Sequence, residues 1–141
     1  MRIALDSNVF IYALERNIEW SKPAIAILRQ LEGETITGVA SVLCLSEVLA
    51  YPFMKSQQMG EDAQLFMEGL GGIDYIPMDA EIAIRAGRLR AAHGPKLKTP
   101  DAIHLATALW EHADLFVTND RELLKLTLLD LKIHPLGEPL E

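Results

Sequence analysis

Residues 2–16 read RIALDSNVFIYALER and join a short apolar run to a helical pattern. The run RIAL is typical of a β-strand, whereas VFIYALER (residues 9–16) has the spacing of a helix. Between them stand Asp6, Ser7 and Asn8, and these residue types often cap a helix N-terminus. The stretch therefore predicts a strand that leads directly into a helix.

The same alternation continues along the chain. Further strands are predicted at residues 35–38, 73–77, 115–118 and 131–136. Further helices are predicted at residues 21–33, 41–55, 60–72, 79–94, 99–113 and 120–126. Strands separated by helices need crossover connections, which indicates an α/β fold with a mostly parallel sheet covered on both faces. Because no repeat or linker interrupts the pattern, we expect one domain over residues 1–136 and a short tail over 137–141.

The composition excludes several classes of protein. Half of the 141 residues are hydrophobic, which is typical of a compact globular chain. Cys44 is the only cysteine, so an internal disulfide and a zinc site built from thiolates are both excluded. We find neither a signal peptide nor an apolar run long enough to span a membrane, and we expect a cytoplasmic protein. The net charge of −7 argues against nucleic-acid binding by the molecule as a whole, since phosphates attract basic surfaces.

Two acids directly follow predicted strands. Asp6 comes after the first strand, and Asp120 comes after the fourth in the sequence Thr118-Asn119-Asp120. Parallel strands end at the same edge of a sheet, and ligands of such folds bind outside that edge. Each acid alone is better explained as a helix cap. Together they indicate a functional site.

Two more acids lie on apolar helices. A charged Glu47 on such a helix is costly in free energy unless a partner or a metal compensates the charge. Either Glu47 belongs to a site, or its carboxylate reaches the rim of the protein or pairs with a lysine or arginine. Asp101 lies in the first turn of an alanine-rich helix, for which Thr99 is the expected N-cap and Pro100 the first helical residue. Its carboxylate either complements the helix dipole or faces the same sheet edge as the other acids.

Four converging carboxylates would need compensation for their charge. Two carboxylates about 5 Å apart repel each other by roughly 3 kcal/mol at an effective dielectric constant near 20. Protonation or bound cations must relieve this repulsion. Oxygen ligands without cysteine favour Mg²⁺ or Mn²⁺ over zinc. Such a cluster fits metal-assisted phosphodiester hydrolysis, in which one ion activates water and another stabilises the leaving oxygen.

Four segments of the chain resemble, in order, the motifs of the PIN domain family and, within it, the VapC-type toxins of bacterial and archaeal toxin–antitoxin pairs. These segments are ALDSNVFIYAL (residues 4–14), SEVLAYP (46–52), KTPDAIHLATAL (98–109) and FVTNDREL (116–123). The resemblance spans nearly the whole chain. It implies a three-layer α/β/α sandwich whose five-stranded, mostly parallel sheet has the strand order 3-2-1-4-5.

The resemblance also implies an activity and a set of site residues. It implies a metal-dependent endoribonuclease that forms a homodimer and is inhibited by a cognate VapB-type antitoxin. One or two Mg²⁺ or Mn²⁺ ions would be held by Asp6, Glu47, Asp101 and Asp120. The Thr118 hydroxyl would orient the metal or water, and Asn8 and Asn119 would support the ligands. We expect helices 41–55 and 60–71, which are rich in apolar residues, to form the dimer surface, although a thick core would explain them equally well.

The acidic net charge leaves room for a local basic surface. No acid lies between Ile82 and Pro100, a stretch that carries Arg85, Arg88, Arg90, Lys96 and Lys98. These cations form either an ordinary solvated surface or a rim that binds phosphates beside the metals. In the second case Arg88, Lys96 and Lys98 are the candidates for contact with an RNA substrate.

The same residues also allow alternatives to a nuclease, which the sequence favours to different degrees. A catalytically silent module that binds RNA or a partner protein could keep the same acids. An aspartyl-phosphate enzyme is disfavoured, because a phosphatase of that kind would need an acid where Asn8 stands. A receiver domain would need an acid at the end of the third strand, where only Asp79 follows a proline. His104, one turn after Asp101, could hydrogen-bond to a ligand carboxylate or serve as a structural histidine.

Overall fold

The computed structural model describes residues 1–141 as a five-stranded sheet with helices on both faces. The strands are β1 (Arg2–Leu5), β2 (Thr37–Ser41), β3 (Ile73–Ile76), β4 (Leu115–Thr118) and β5 (Lys132–Pro135). The helices are α1 (Ser7–Glu15), α2 (Ser21–Glu32), α3 (Leu43–Lys55), α4 (Gln57–Gly69), α5 (Ala80–His93), α6 (Thr99–Trp110) and α7 (Arg121–Leu124). All strand pairs are parallel and the order is β3-β2-β1-β4-β5. The predicted α/β class and the strand order that the resemblance implies are confirmed.

The central strands are buried on both faces, because alternate side chains point to opposite sides of a sheet. Ile3 and Leu5 of β1 join a core cluster with residues of α1 to α4. Ala4 of β1 and Phe116 of β4 join a second cluster with residues of α5, α6 and α7. Burying one large apolar side chain of this kind contributes about 1.5–3 kcal/mol. The two clusters fix the sheet between its helical layers and so hold its strand ends in place.

Strand β2 differs from the prediction, since it begins at Thr37 and extends to Ser41. Gly38 and Val39 pair with β1 on one side and with β3 on the other, so the central position compensates for weak strand propensity. A Cβ atom at Gly38 would lie 2.9 Å from Cδ2 of Leu31. The glycine thus permits close packing of α2 on β2, which the sequence pattern did not reveal.

Helix α6 begins one residue earlier than expected. Lys98 is the N-cap residue, Thr99 is already helical, and no side chain caps the helix. The prediction that Thr99 caps the helix is therefore wrong. Pro100 does lie in the first turn, where its missing N–H has no intrahelical partner to lose, and Asp101 follows it in that turn.

Parallel strands give the sheet two chemically distinct edges. The carboxyl edge is where β1 ends at Leu5 and β4 ends at Thr118, and the amino edge is where they begin at Arg2 and Leu115. Helices α1, α3 and α7 start within three residues of the strands that precede them at the carboxyl edge. None of the helices combines the length and apolar character needed to cross a bilayer.

Candidate functional site

Asp6 is fixed at the centre of the carboxyl edge. Its carboxylate accepts hydrogen bonds from Thr118 Oγ1 (2.7 Å), from the backbone N–H of Ser7 (2.8 Å) and from Asn8 Nδ2 (3.4 Å). Asn8 Nδ2 also donates to Thr118 Oγ1 at 3.2 Å, so these side chains tie the end of β1 to the end of β4. Burial raises the pKa of Asp6, although the Thr118 hydrogen bond opposes that shift. Asp6 therefore caps α1, and burial makes the ionised form of its carboxylate costly.

Asp120 is joined to Asp6 through one hydroxyl group. Its backbone N–H donates to Thr118 Oγ1 at 3.0 Å, the same oxygen that donates to Asp6. The Asp120 carboxylate caps α7 by accepting from the N–H groups of Glu122 (2.8 Å) and Leu123 (3.3 Å). Thr118 is fully buried between the two acids. The cap function of Asp120 and its place at the site are therefore compatible.

Asn119 lies beside these acids and contacts a different partner. Its side-chain amide donates to the Tyr12 hydroxyl at 2.9 Å. This bond joins the turn after β4 to α1. The structure therefore brings Asn8 into contact with an acid, and Asn119 into contact with α1.

Glu47 reaches the site from the middle of α3. Its Oε1 accepts from Ser7 Oγ (2.6 Å) and is hydrogen-bonded to His104 Nε2 (2.5 Å), and a third of its side chain stays exposed. Burial favours the neutral acid, but the hydrogen bonds from His104 and Ser7 outweigh it and hold the pKa of Glu47 below its ordinary value. Glu47 therefore pairs with a histidine, and not with the lysine or arginine that the sequence left as one alternative.

His104 is the functional side chain that sequence reasoning did not select. It projects from α6 one turn after Asp101 and is almost completely buried. Burial lowers its pKa, but the hydrogen bond to Glu47 and the charges of Asp6, Glu47 and Asp101 raise it above the ordinary value. The one available signal was its spacing from Asp101 on an otherwise apolar helix.

Asp101 is the least compensated of the four acids. Burial and the negative charges of Asp6 and Asp120 raise its pKa to about 6, with a smaller contribution from Glu47 and partial relief from His104. No hydrogen bond contributes to this balance. Its response to all three other acids places the four carboxylates in one electrostatic environment.

Lysine and arginine side chains do not neutralise this group of acids. The ion pairs of the chain are Arg2–Glu111, His104–Glu47 and Lys125–Glu122, so Asp6, Asp101 and Asp120 have no cationic partner within ion-pair distance. Asp6 and Asp101, whose pKa values are raised above the ordinary value, lie without such a partner, as is typical of sites that bind a cation or transfer protons.

The residues present fit a hydrated Mg²⁺ or Mn²⁺ ion better than a zinc-type centre. No group of three or more His, Cys, Asp or Glu side chains is arranged closely enough to hold a metal ion in common. Mg²⁺ usually keeps several waters and binds only one or two carboxylates, so it does not require such a group. The donors at hand are carboxylate and hydroxyl oxygens, which Mg²⁺ and Mn²⁺ prefer.

The arrangement excludes a serine hydrolase. In a Ser-His-acid triad the serine and the acid contact different ring nitrogens of the histidine. Here Ser7 and Glu47 both contact Nε2 of His104, and Nδ1 is buried without a partner. The Ser7 hydroxyl donates to Glu47, so its proton is directed away from the base that a nucleophile would need.

The predicted cations lie on the surface of the protein. Arg88, Lys96 and Lys98 are exposed, and Lys98 immediately precedes α6. Lys96 lines a groove of about 180 Å³ together with residues of α5 and α7, among them Glu122. The largest cavity, of about 820 Å³, lies at the amino edge and contains none of the four acids. The three cations make no ion pair within the chain.

Comparisons with known proteins agree with the fold. The PIN domain profile matches residues 3–128. Among solved structures, VapBC2 from Rickettsia felis bound to a DNA fragment from its promoter is 21% identical, with a TM-score of 0.72 over 96% of this chain and 98% of that one. DNA-bound VapBC from Salmonella typhimurium is 21% identical, with a TM-score of 0.66 over 96% and 98%.

A toxin–antitoxin complex from Klebsiella pneumoniae is 24% identical, with a TM-score of 0.63 over 84% of this chain and 86% of that one. Among curated proteins no significant match was found. The structural likenesses share the fold, and the profile match covers most of the residues. The chain belongs to the PIN domain family.

Proposed function

We propose that this protein is an endoribonuclease that depends on Mg²⁺ or Mn²⁺ and acts in the cytoplasm as the toxin of a VapBC-type pair. One observation carries the proposal: four carboxylates, from α3, α6 and the residues that follow β1 and β4, share one electrostatic environment without a lysine or arginine partner. These acids are Asp6, Glu47, Asp101 and Asp120. Membership of the PIN family and the toxin–antitoxin complexes of similar fold support the same function.

One or two ions would lie among the four acids at the carboxyl edge, each held by one or two of the carboxylates and otherwise by water. When bound, Mg²⁺ or Mn²⁺ supplies a Lewis acid that lowers the pKa of water and stabilises charge on the phosphate. Thr118 keeps Asp6 and Asp120 at a fixed separation, because its hydroxyl bonds to both residues. Asn8 supports Asp6 and Thr118 from α1 by donating to both side chains. Asp101, which has no other partner, is free to bind the cation.

The substrate would approach over a mixed surface. The acids alone repel RNA, and the net charge of −7 adds to that repulsion. Cations at the site and the exposed Arg88, Lys96 and Lys98 would offset it locally. We therefore expect RNA binding to require the divalent ion, and to weaken when these basic residues are replaced.

The partners in this proposal are a second copy of the chain and an antitoxin. Several large apolar side chains of α3 and α4 are exposed, namely Tyr51, Phe53, Met54, Met59 and Leu65. Exposed apolar surface of this kind is typical of protein interfaces. Light scattering on the purified protein tests the homodimer, and copurification with the protein encoded beside it tests the antitoxin.

The decisive experiment measures cleavage of single-stranded RNA by the purified protein. We expect cleavage with Mn²⁺, none after chelation, and none from Asp101→Asn. The matched control is Asp74→Asn, which removes the same charge from an exposed position on β3 and should cleave at the wild-type rate. Cleavage that persists in chelator, or in Asp101→Asn, would contradict the proposal. Tight RNA binding without cleavage would favour the silent binding module.

A further inference from the structure

Three helices meet at a single oxygen atom of the site. Ser7 at the start of α1 donates to Oε1 of Glu47 at 2.6 Å, and His104 of α6 contacts the same oxygen through Nε2 at 2.5 Å. Ser7 Oγ and His104 Nε2 are themselves 3.2 Å apart. Oε2 of Glu47 makes no hydrogen bond to the protein. The two oxygens of this carboxylate therefore have different environments.

The polar contacts of the His104 ring are those with Glu47 and Ser7. Its ring is almost completely buried among the apolar residues of α6, and its Nδ1 has no hydrogen-bond partner. A buried nitrogen without a partner is unfavourable, so core packing alone would favour an apolar side chain here. What the histidine adds to the molecule is its contact with Glu47 and Ser7.

Glu47 needs such support because of where it lies. It stands in the middle of α3 and keeps a third of its side chain exposed, so nothing in its own helix restricts the carboxylate to one orientation. Two donors on Oε1 restrict it, and they come from two other helices. Ligands held in place before binding lose less conformational freedom when they bind.

We propose that Ser7 and His104 are positioning residues, which fix Oε1 of Glu47 from two sides so that Oε2 is presented to a divalent cation at the carboxyl edge. This proposal rests on the proposed metal-dependent function. It concerns the arrangement of one ligand, and it assigns neither residue a contact with the substrate.

The test is the affinity of the full chain for Mn²⁺, measured by calorimetry without RNA. His104→Leu removes the donor and should weaken Mn²⁺ binding by about 10–100-fold, the range typical for partners of metal ligands. His104→Gln keeps an N–H donor and should restore part of the affinity. Ser7→Ala should have a smaller effect in the same direction, since His104 remains. Thr107→Val is the matched control, because Thr107 is buried one turn further along α6 and bonds only to its own helix.

A double-variant cycle separates positioning from a structural role. If His104 acts through Glu47, the variant Glu47→Gln with His104→Leu should bind Mn²⁺ as Glu47→Gln does alone. Further weakening in the double variant, or wild-type affinity in His104→Leu, would overturn the positioning role while leaving the proposed nuclease intact. If the wild-type chain binds no Mn²⁺, both the positioning role and the proposed function fail.

Discussion

The two edges of the sheet use acidic residues in opposite ways. At the amino edge, Arg2 pairs with Glu111 at 2.6 Å, and its backbone N–H donates to Asp114 at 2.8 Å. At the carboxyl edge, Asp6 and Asp101 have no lysine or arginine partner. An acid with a cation of its own contributes to the fold, whereas an acid without one is available to an external cation. The difference supports the proposed site at the carboxyl edge.

The largest expected effect comes from replacing an aspartate by asparagine at the carboxyl edge, in comparison with the same replacement at the amino edge. Asp6→Asn should lower the rate of RNA cleavage by about 10²–10³-fold, as is typical when one group that stabilises transition-state charge is removed. Asp114→Asn should cleave at the wild-type rate, because its carboxylate only accepts from the amino edge. Single-turnover cleavage measured with both variants checks the pair. Equal rates for the two would remove the distinction between the edges.

The pH dependence of stability should reveal the uncompensated charge. Burial and nearby carboxylates raise the pKa of Asp101 from 3.8 to about 6, so the folded state binds its proton more tightly than the unfolded state does. Because of this shift, the free energy of unfolding of the metal-free protein should fall as the pH rises from 3.8 to about 6. Asp101→Asn should show a shallower decline in denaturant unfolding with chelator present.

Saturating Mn²⁺ supplies the control for this pH measurement. Bound cation should compensate the carboxylates, so the advantage of Asp101→Asn at neutral pH should disappear when the ion is added. A variant that is no more stable than the wild type at neutral pH, in chelator, would show that the acids are compensated by some other means.

The smallest expected effect concerns the amino edge. Arg2→Met removes a partly exposed ion pair and should lower the free energy of unfolding by about 0.5–1 kcal/mol. The rate of RNA cleavage should not change. Urea unfolding and the cleavage assay check the two halves of this prediction. A loss of activity without a loss of stability would mean that the amino edge also serves the site.

The acids differ in how far sequence could predict their surroundings. Asp6 and Asp120 follow strands directly, and parallel pairing alone is enough to bring them to one edge. The environment of Glu47 was left open between the rim and a basic partner, and the structure gives it His104 and Ser7. These contacts depend on the packing of α1, α3 and α6, which no local pattern encodes.

Local propensity was also an incomplete guide to element boundaries. Thr99 and Pro100 mark the start of α6, but the helix begins at Thr99 and leaves its hydroxyl without a capping role. Strand β2 extends to Ser41 because β3 pairs with it along its whole second half, as far as Ile76. In both cases the neighbouring elements decided the boundary.

The sequence by itself determined the α/β alternation, the parallel sheet and the placement of Asp6 and Asp120 at its carboxyl edge. It could do so because hydrophobic periodicity and capping residues act over a few neighbouring positions. Only the tertiary structure decided that His104 and Ser7 share one oxygen of Glu47, and that Asp101 lies within the field of three other acids. Those relations join residues far apart in the chain, and they arise only when the helices pack against the sheet.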